Sequence, residues 1–165
     1  MKKLVIIRGN SGSGKSTVAK CLREGVKHNK KIAIIEQDYL RRFILKEKEA
    51  DSTNNIDLIK LTVLFAFEKG YDVLLEGILY SKRYKRMIEE LMDESSKSYI
   101  YYLDISFDET LRRHKTKYNA DEFGKSEMRS WYKKKDILNF SGERVLGEEL
   151  SKKQIVEIIN SEVGF

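Results

Sequence analysis

Nine consecutive residues near the start of the chain, Gly9-Asn10-Ser11-Gly12-Ser13-Gly14-Lys15-Ser16-Thr17, match the spacing G-x-x-x-x-G-K-[ST] in full. Glycines at these intervals let the backbone take tight left-handed turns that aim successive N–H groups at one point. Together with the positive end of a helix opening near Lys15, those donors hold a phosphate anion. Lys15 is placed to reach the β and γ phosphates of a nucleoside triphosphate, and the Ser16 hydroxyl to ligate Mg²⁺. Gly9 to Thr17 therefore reads as a nucleotide site that works with Mg²⁺.

A second group of residues has the types needed for phosphoryl transfer. Asp38 is followed by Arg41 and Arg42, which share a face with it if a helix opens at Tyr39. A carboxylate beside the γ-phosphate accepts the proton of an attacking hydroxyl, and an arginine holds a substrate anion in bidentate fashion. Capping of the helix by Asp38, with an arginine as its ion-pair partner, is the purely structural alternative. Further on, Glu76 is expected to orient the Mg²⁺ shell, with Asp104 as its rival. Gly77 would let substrate approach the backbone, and Tyr80 and Arg83 would contact the acceptor on the same rim.

Between residues 111 and 135 the sequence holds nine Lys or Arg against three Asp or Glu, a local charge of +6 that equals the net charge of the whole chain. This segment reads as a lid that closes over the nucleotide. At least one of Arg112 and Arg113 is expected to neutralise charge developing on the transferred phosphoryl group. Basic stripes also mark nucleic-acid binders, so charge alone does not choose between the two. His114 is expected at the surface, Lys133-Lys134-Lys135 in solvent, and Trp131 and Tyr132 in the packing of the lid helix. Cys21 is expected to be a small buried hydrophobe.

The elements that must position these residues alternate. Buried strands are expected at Leu4 to Ile7, Ile32 to Ile35, Tyr71 to Leu75 and Tyr99 to Leu103, with a short fifth at Glu143 to Leu146. Helices are expected from Lys15 to about His28, Tyr39 to about Lys48, Ile56 to Lys69, Lys82 to Met92, Thr110 to Lys117 and Lys152 to Asn160. The Ile56 to Lys69 helix, capped by Asn54 or Asn55, is apolar on most sides and predicts deep packing. Such alternation specifies a three-layer α/β/α fold around a parallel five-stranded sheet, with ligands at the carboxyl ends of the strands. Each polar feature named above falls at such an end.

The 165 residues fit one domain, with 41% hydrophobic and 35% charged residues and no proline. One cysteine excludes an internal disulfide. No apolar run is long enough to span a bilayer or to act as a signal peptide, which gives no membrane partner and a cytoplasmic location. A guanine-reading N-K-x-D is missing, Asp121-Glu122-Phe123-Gly124 mimics a switch motif out of its context, and no ABC signature occurs. ATP is thus expected rather than GTP.

The phosphate loop followed by Asp38-x-x-Arg41 resembles the P-loop kinases that include polynucleotide 5′-kinases, zeta toxins and chloramphenicol phosphotransferase. The stretch from Ala120 to Tyr132 is similar to members known simply as ATP-binding kinases. The resemblance implies an ATP-dependent kinase in which Asp38 is the base, Arg41 contacts substrate, and Lys15 with Arg112 or Arg113 stabilises the transferred group. The D-G-[FY]-P-R of adenylate kinases is lacking, which argues against an ordinary nucleoside monophosphate kinase. A small hydroxylated metabolite, nucleoside or antibiotic is the expected acceptor. A polynucleotide 5′-hydroxyl, and a nucleotide-binding module with no phosphoryl acceptor, stay open as alternatives.

Overall fold

The computed structural model describes residues 2–26, 30–48, 54–115 and 124–165. Five parallel strands form one sheet in the order β2-β3-β1-β4-β5. They are β1 (Lys3–Gly9), β2 (Ile32–Glu36), β3 (Asp72–Gly77), β4 (Lys97–Asp104) and β5 (Arg144–Gly147). The three central strands are the long apolar runs, and their middle residues are sealed from solvent, as parallel strands covered on both faces must be. β2 corrects the expectation of a second fully buried strand. It lies at the edge, and only Ile35 is buried among its five residues.

Seven α-helices are described. On one face α3 (Asn54–Glu68) and α4 (Ser81–Glu94) close a core with Leu4, Ile6, Leu75 and Ile100. On the other, α1 (Lys15–Glu24) and α7 (Lys152–Val163) cover Val5, Ile7, Leu74 and Leu103. α4 shows why: Tyr84, Met87, Ile88 and Leu91 recur at the helical period and are all buried. The remaining helices are α2 (Gln37–Tyr39), which runs on as a π-helical turn over Leu40–Ile44, α5 (Phe107–His114) and α6 (Lys125–Trp131).

Three helix expectations need correction. α1 stops at Glu24 with Gly25 as its C-cap, and His28 lies outside the described residues. The helix after β2 opens at Gln37, before Tyr39, and its regular part ends in the π turn at Ile44. α3 is not deeply packed all round. Ile59, Val63, Ala66 and Phe67 are buried, while Leu61 is 65% and Phe65 61% exposed. Its apolar composition is broader than the stripe the sheet covers.

Candidate functional site

The loop between β1 and α1 is shaped by its glycines. Gly12 has φ 82° and packs so closely on α5 that an added Cβ would lie 2.7 Å from the Thr110 carbonyl oxygen. Gly14, at φ 100°, is the N-cap of α1 and needs no side chain for it. Ser13 N–H donates to the Asn10 carbonyl at 3.1 Å, and Val18 N–H to that of Gly14 at 3.0 Å. Lys15 is buried, and its ammonium donates to the Asn10 carbonyl at 2.9 Å. The Ser13 hydroxyl is buried without a hydrogen-bond partner among the described residues. The loop is thus a preformed cradle with a cation and an unspent polar group inside it.

Strand register supplies the carboxylate. β1 and β3 pair with Ile7 opposite Glu76, which puts the Glu76 side chain beside the start of α1. The Ser16 hydroxyl donates to Glu76 Oε1 at 2.7 Å. Burial pushes the Glu76 carboxyl above its ordinary value, against the pull of Lys15 and Ser16, and the neighbouring charges of Glu36 and Asp38 push the same way. A buried carboxylate in contact with the loop hydroxyl is the donor set a divalent cation on a nucleotide takes, so Ser16 and Glu76 fit Mg²⁺. Asp104 ends β4 opposite Gly147 of β5, on the other side of β1 from β3. Among the described residues no cluster of three or more His, Cys, Asp or Glu forms a metal cage of its own.

Asp38 lies in the first turn of α2, two residues beyond the end of β2. Its carboxylate accepts from Arg41 Nη2 at 2.8 Å, the i, i+3 contact expected of the pair, and stays half exposed. Arg41 also donates through Nη1 to the Glu47 carbonyl at 3.1 Å. Arg42, in the π turn, is exposed. π turns inside helices recur at functional sites because they re-aim side chains.

The basic segment is brought to the loop through α5. Arg113 donates Nη1 to the Ser13 carbonyl at 3.1 Å and Nε to Glu109 at 2.7 Å. Arg112 turns away: it forks onto the same Glu109 at 2.6 and 2.7 Å, with its side chain 72% exposed. Of the two arginines, only Arg113 touches the loop. Lys117 and residues 118–123, including the Asp121-Glu122-Phe123 mimic, lie outside the described residues.

Several expectations on the rim change. The room beside Gly77 is taken by Gln37, whose side chain would lie 2.6 Å from an added Cβ. Gly77 therefore serves internal packing there rather than an open approach. The Tyr80 hydroxyl donates to the Trp131 carbonyl, tying the loop before α4 to the end of α6. Arg83 lies over the Tyr84 ring at 5.8 Å. His114 is buried rather than at the surface, and Cys21 is only partly buried.

Three contacts were not foreseen. The side-chain amide of Asn10 grips the backbone of Lys133, donating to its carbonyl at 2.8 Å and accepting its N–H at 2.9 Å. Arg8, completely buried just before the loop, meets Asp136 at 2.8 Å and Glu143 at 3.1 Å and donates twice to the Leu79 carbonyl. Asp136 in turn caps α4 through the Ser81 N–H at 2.8 Å and hydroxyl at 2.5 Å. Gln37 and Asn55 both donate to the Tyr84 hydroxyl, at 3.0 and 2.8 Å. The one available signal was Arg8 itself, a charge at the end of an apolar strand that burial would oblige to find a partner.

Comparisons with known proteins bear on the family and the fold. The model of the zeta toxin family matches residues 1–129. The APS kinase of Mycobacterium tuberculosis, in complex with AMPPNP and APS, superposes with a TM-score of 0.75 at 19% identity, over 99% of this chain and 98% of that one. A gluconokinase from Sinorhizobium meliloti gives 0.66 at 15% identity, over 94% and 87%. The tunicamycin resistance protein of Deinococcus radiodurans gives 0.66 at 17% identity, over 100% and 97%. These likenesses show the fold. A sequence search of curated proteins gives no match. No helix among the described residues is long and apolar enough to cross a membrane.

Proposed function

This chain belongs to the zeta toxin family, and from that membership and the geometry of its phosphate loop we propose that it transfers the γ-phosphate of ATP to a hydroxyl of a small molecule. The observation that carries the proposal is the contact of Ser16 with the buried Glu76. A carboxyl that burial disfavours is placed where a cation would be held, next to a lysine inside a phosphate cradle. Mg²⁺ held by Ser16 and Glu76 supplies charge neutralisation on the phosphates when bound.

The chain's own residues do the rest. Backbone N–H groups of Gly9 to Thr17 orient the triphosphate, and Lys15 leaves the Asn10 carbonyl for the phosphates. Asp38 accepts the proton of the acceptor hydroxyl as its oxygen attacks phosphorus in line with the departing ADP oxygen. Arg41, fixed by Asp38 and Glu47, meets an anionic or polar part of the acceptor. Arg113, laid on the Ser13 carbonyl, stabilises charge on the transferred group; Arg112, directed outward, does not.

A small acceptor is favoured by the neighbours. These similar structures are of an APS kinase, a gluconokinase and a tunicamycin resistance protein. Incubation with γ-labelled ATP and a panel of nucleosides, sugars, antibiotics and oligonucleotides tests this. Label is expected on a small hydroxylated compound, at a rate little affected by moderate salt. Transfer only to oligonucleotides, falling steeply with salt, would replace that acceptor class with a nucleic-acid end.

A further inference from the structure

The first turn of α5 is preceded by Ser106 and reads Ser106-Phe107-Asp108-Glu109, the S-x-x-E spacing of a capping box. In such a box the glutamate reaches back to the backbone N–H of the serine. Only half of it forms here. Ser106 Oγ accepts from the Glu109 N–H at 3.3 Å, but the Ser106 N–H goes elsewhere. It donates to Glu148 Oε2 at 2.8 Å, from the turn that follows β5.

Relieved of the cap, the Glu109 carboxylate points along α5 and accepts three charged hydrogen bonds. These come from Arg112 Nε at 2.6 Å, Arg112 Nη2 at 2.7 Å and Arg113 Nε at 2.7 Å. Arg113 then rests Nη1 on the Ser13 carbonyl at 3.1 Å, and the position of a Cβ on Gly14 would lie 3.8 Å from the same nitrogen. We propose that Glu109 is a positioning residue that fixes the Arg113 guanidinium over the phosphate loop, and that Glu148 makes it available by taking over the helix cap. This rests on the reading above that the loop takes MgATP and that Arg113 meets its γ-phosphate.

The physical case is one of ordering and charge. An unrestrained arginine loses much rotamer freedom when it docks on a ligand, and a carboxylate that holds Nε removes that cost in advance. Two arginines on one carboxylate keep a net positive charge, so the field toward an incoming phosphate survives the pairing. The two arginines hold the Glu109 carboxyl down at about 2, so it stays ionised throughout the neutral range. The linkage also ties the turn after β5 to the phosphate loop through four residues, Glu148, Ser106, Glu109 and Arg113, with the backbone N–H groups of Ser106 and Glu109 making two of the links.

The test is calorimetric binding of MgAMPPNP and MgADP to the full chain, which needs no acceptor. The readout is the preference for the triphosphate analogue over the diphosphate. Glu109→Gln is expected to lower that preference by about tenfold, the worth of one charge-assisted hydrogen bond. Arg113→Ala should lower it at least as much, and the double variant no further than Arg113→Ala alone. Glu148→Ala, an exposed change that removes the acceptor of the Ser106 N–H, should also lower it as Glu109 returns to the vacated cap. Asp108→Asn removes an equal charge from the same turn and should leave the preference intact. A Glu109→Gln variant with wild-type preference, or losses that add in the double variant, would overturn the positioning role and leave the proposed activity standing. An Arg113→Ala variant with wild-type preference removes the role of Arg113 and this inference with it. Failure of the wild type to bind MgAMPPNP would instead overturn the activity itself. If Glu109→Gln does not fold, Glu148→Ala decides alone: an unchanged preference there refutes the exchange of caps.

Discussion

Arg8→Ala is expected to be the most destabilising single change within reach of the site. The guanidinium is sealed from solvent and makes four bonds: two to the Leu79 carbonyl at 3.0 and 2.8 Å, one to Asp136 and one to Glu143. Burial lowers its proton affinity, and the two carboxylates raise it again. Removing it leaves both carboxylates without a cation among the described residues. Breaking a buried pair from one side costs about 3–5 kcal/mol. The lower end applies here, because each carboxylate keeps two other donors: Ser81 N–H and hydroxyl for Asp136, and the N–H groups of Leu138 and Asn139 for Glu143. At ~2–4 °C per kcal/mol for a chain of this size, a loss of about 3 kcal/mol lowers Tm by ~6–12 °C. Thermal unfolding by circular dichroism, with chemical denaturation to obtain the free energy, measures it. Arg8→Lys should fall between, since a lysine keeps the charge but not the planar fork. Adding Glu143→Gln to Arg8→Ala should recover part of the loss by removing one stranded charge. A Tm within about 2 °C of wild type for Arg8→Ala would refute the reasoning, because no buried pair costs so little to break from one side.

Two further outcomes follow from the loop. Gly12→Ala places a methyl 2.7 Å from the Thr110 carbonyl oxygen at φ 82°, and either α5 or the loop must move. Its affinity for MgAMPPNP should fall by more than about tenfold, since left-handed strain alone costs an L-residue ~1–2 kcal/mol; titration calorimetry checks this. Glu76→Gln should raise Tm near neutral pH when neither nucleotide nor metal is present. The folded Glu76 carboxyl is raised, so the folded state binds its proton more tightly than the unfolded chain, and stability falls as pH rises from the unfolded value of about 4.3 through the folded one. The variant lacks that fall, so its advantage should vanish near pH ~4; Tm measured against pH for both proteins decides.

Local chemistry was legible in the sequence, and long-range pairing was not. The loop from Gly9 to Thr17 and the strands around it follow from glycine spacing and apolar runs, which act within a few residues. Asp38 and Arg41 meet because three residues make most of a helical turn. The edge position of β2 could not be read this way, since strand order depends on which crossover each helix makes. The choice between Arg112 and Arg113 turned on Glu109, which points one arginine outward and the other at Ser13. Arg8 with Asp136, and Asn10 with Lys133, join residues more than a hundred positions apart. No spacing rule reaches across such a separation. The partner of a buried arginine is decided by the fold, even when its need for one is plain from its strand.

In the proposed reaction this loop, with Asp38 as base, passes the γ-phosphate of ATP to a hydroxyl. Label transfer from γ-labelled MgATP by the wild type and by Asp38→Asn, with MgAMPPNP binding measured on both, tests it most directly. Transfer to an acceptor is expected of the wild type, with a loss of at least about a hundredfold in Asp38→Asn and binding retained. Equal transfer by the two proteins, or tight MgAMPPNP binding by a wild type that labels no acceptor, would contradict it.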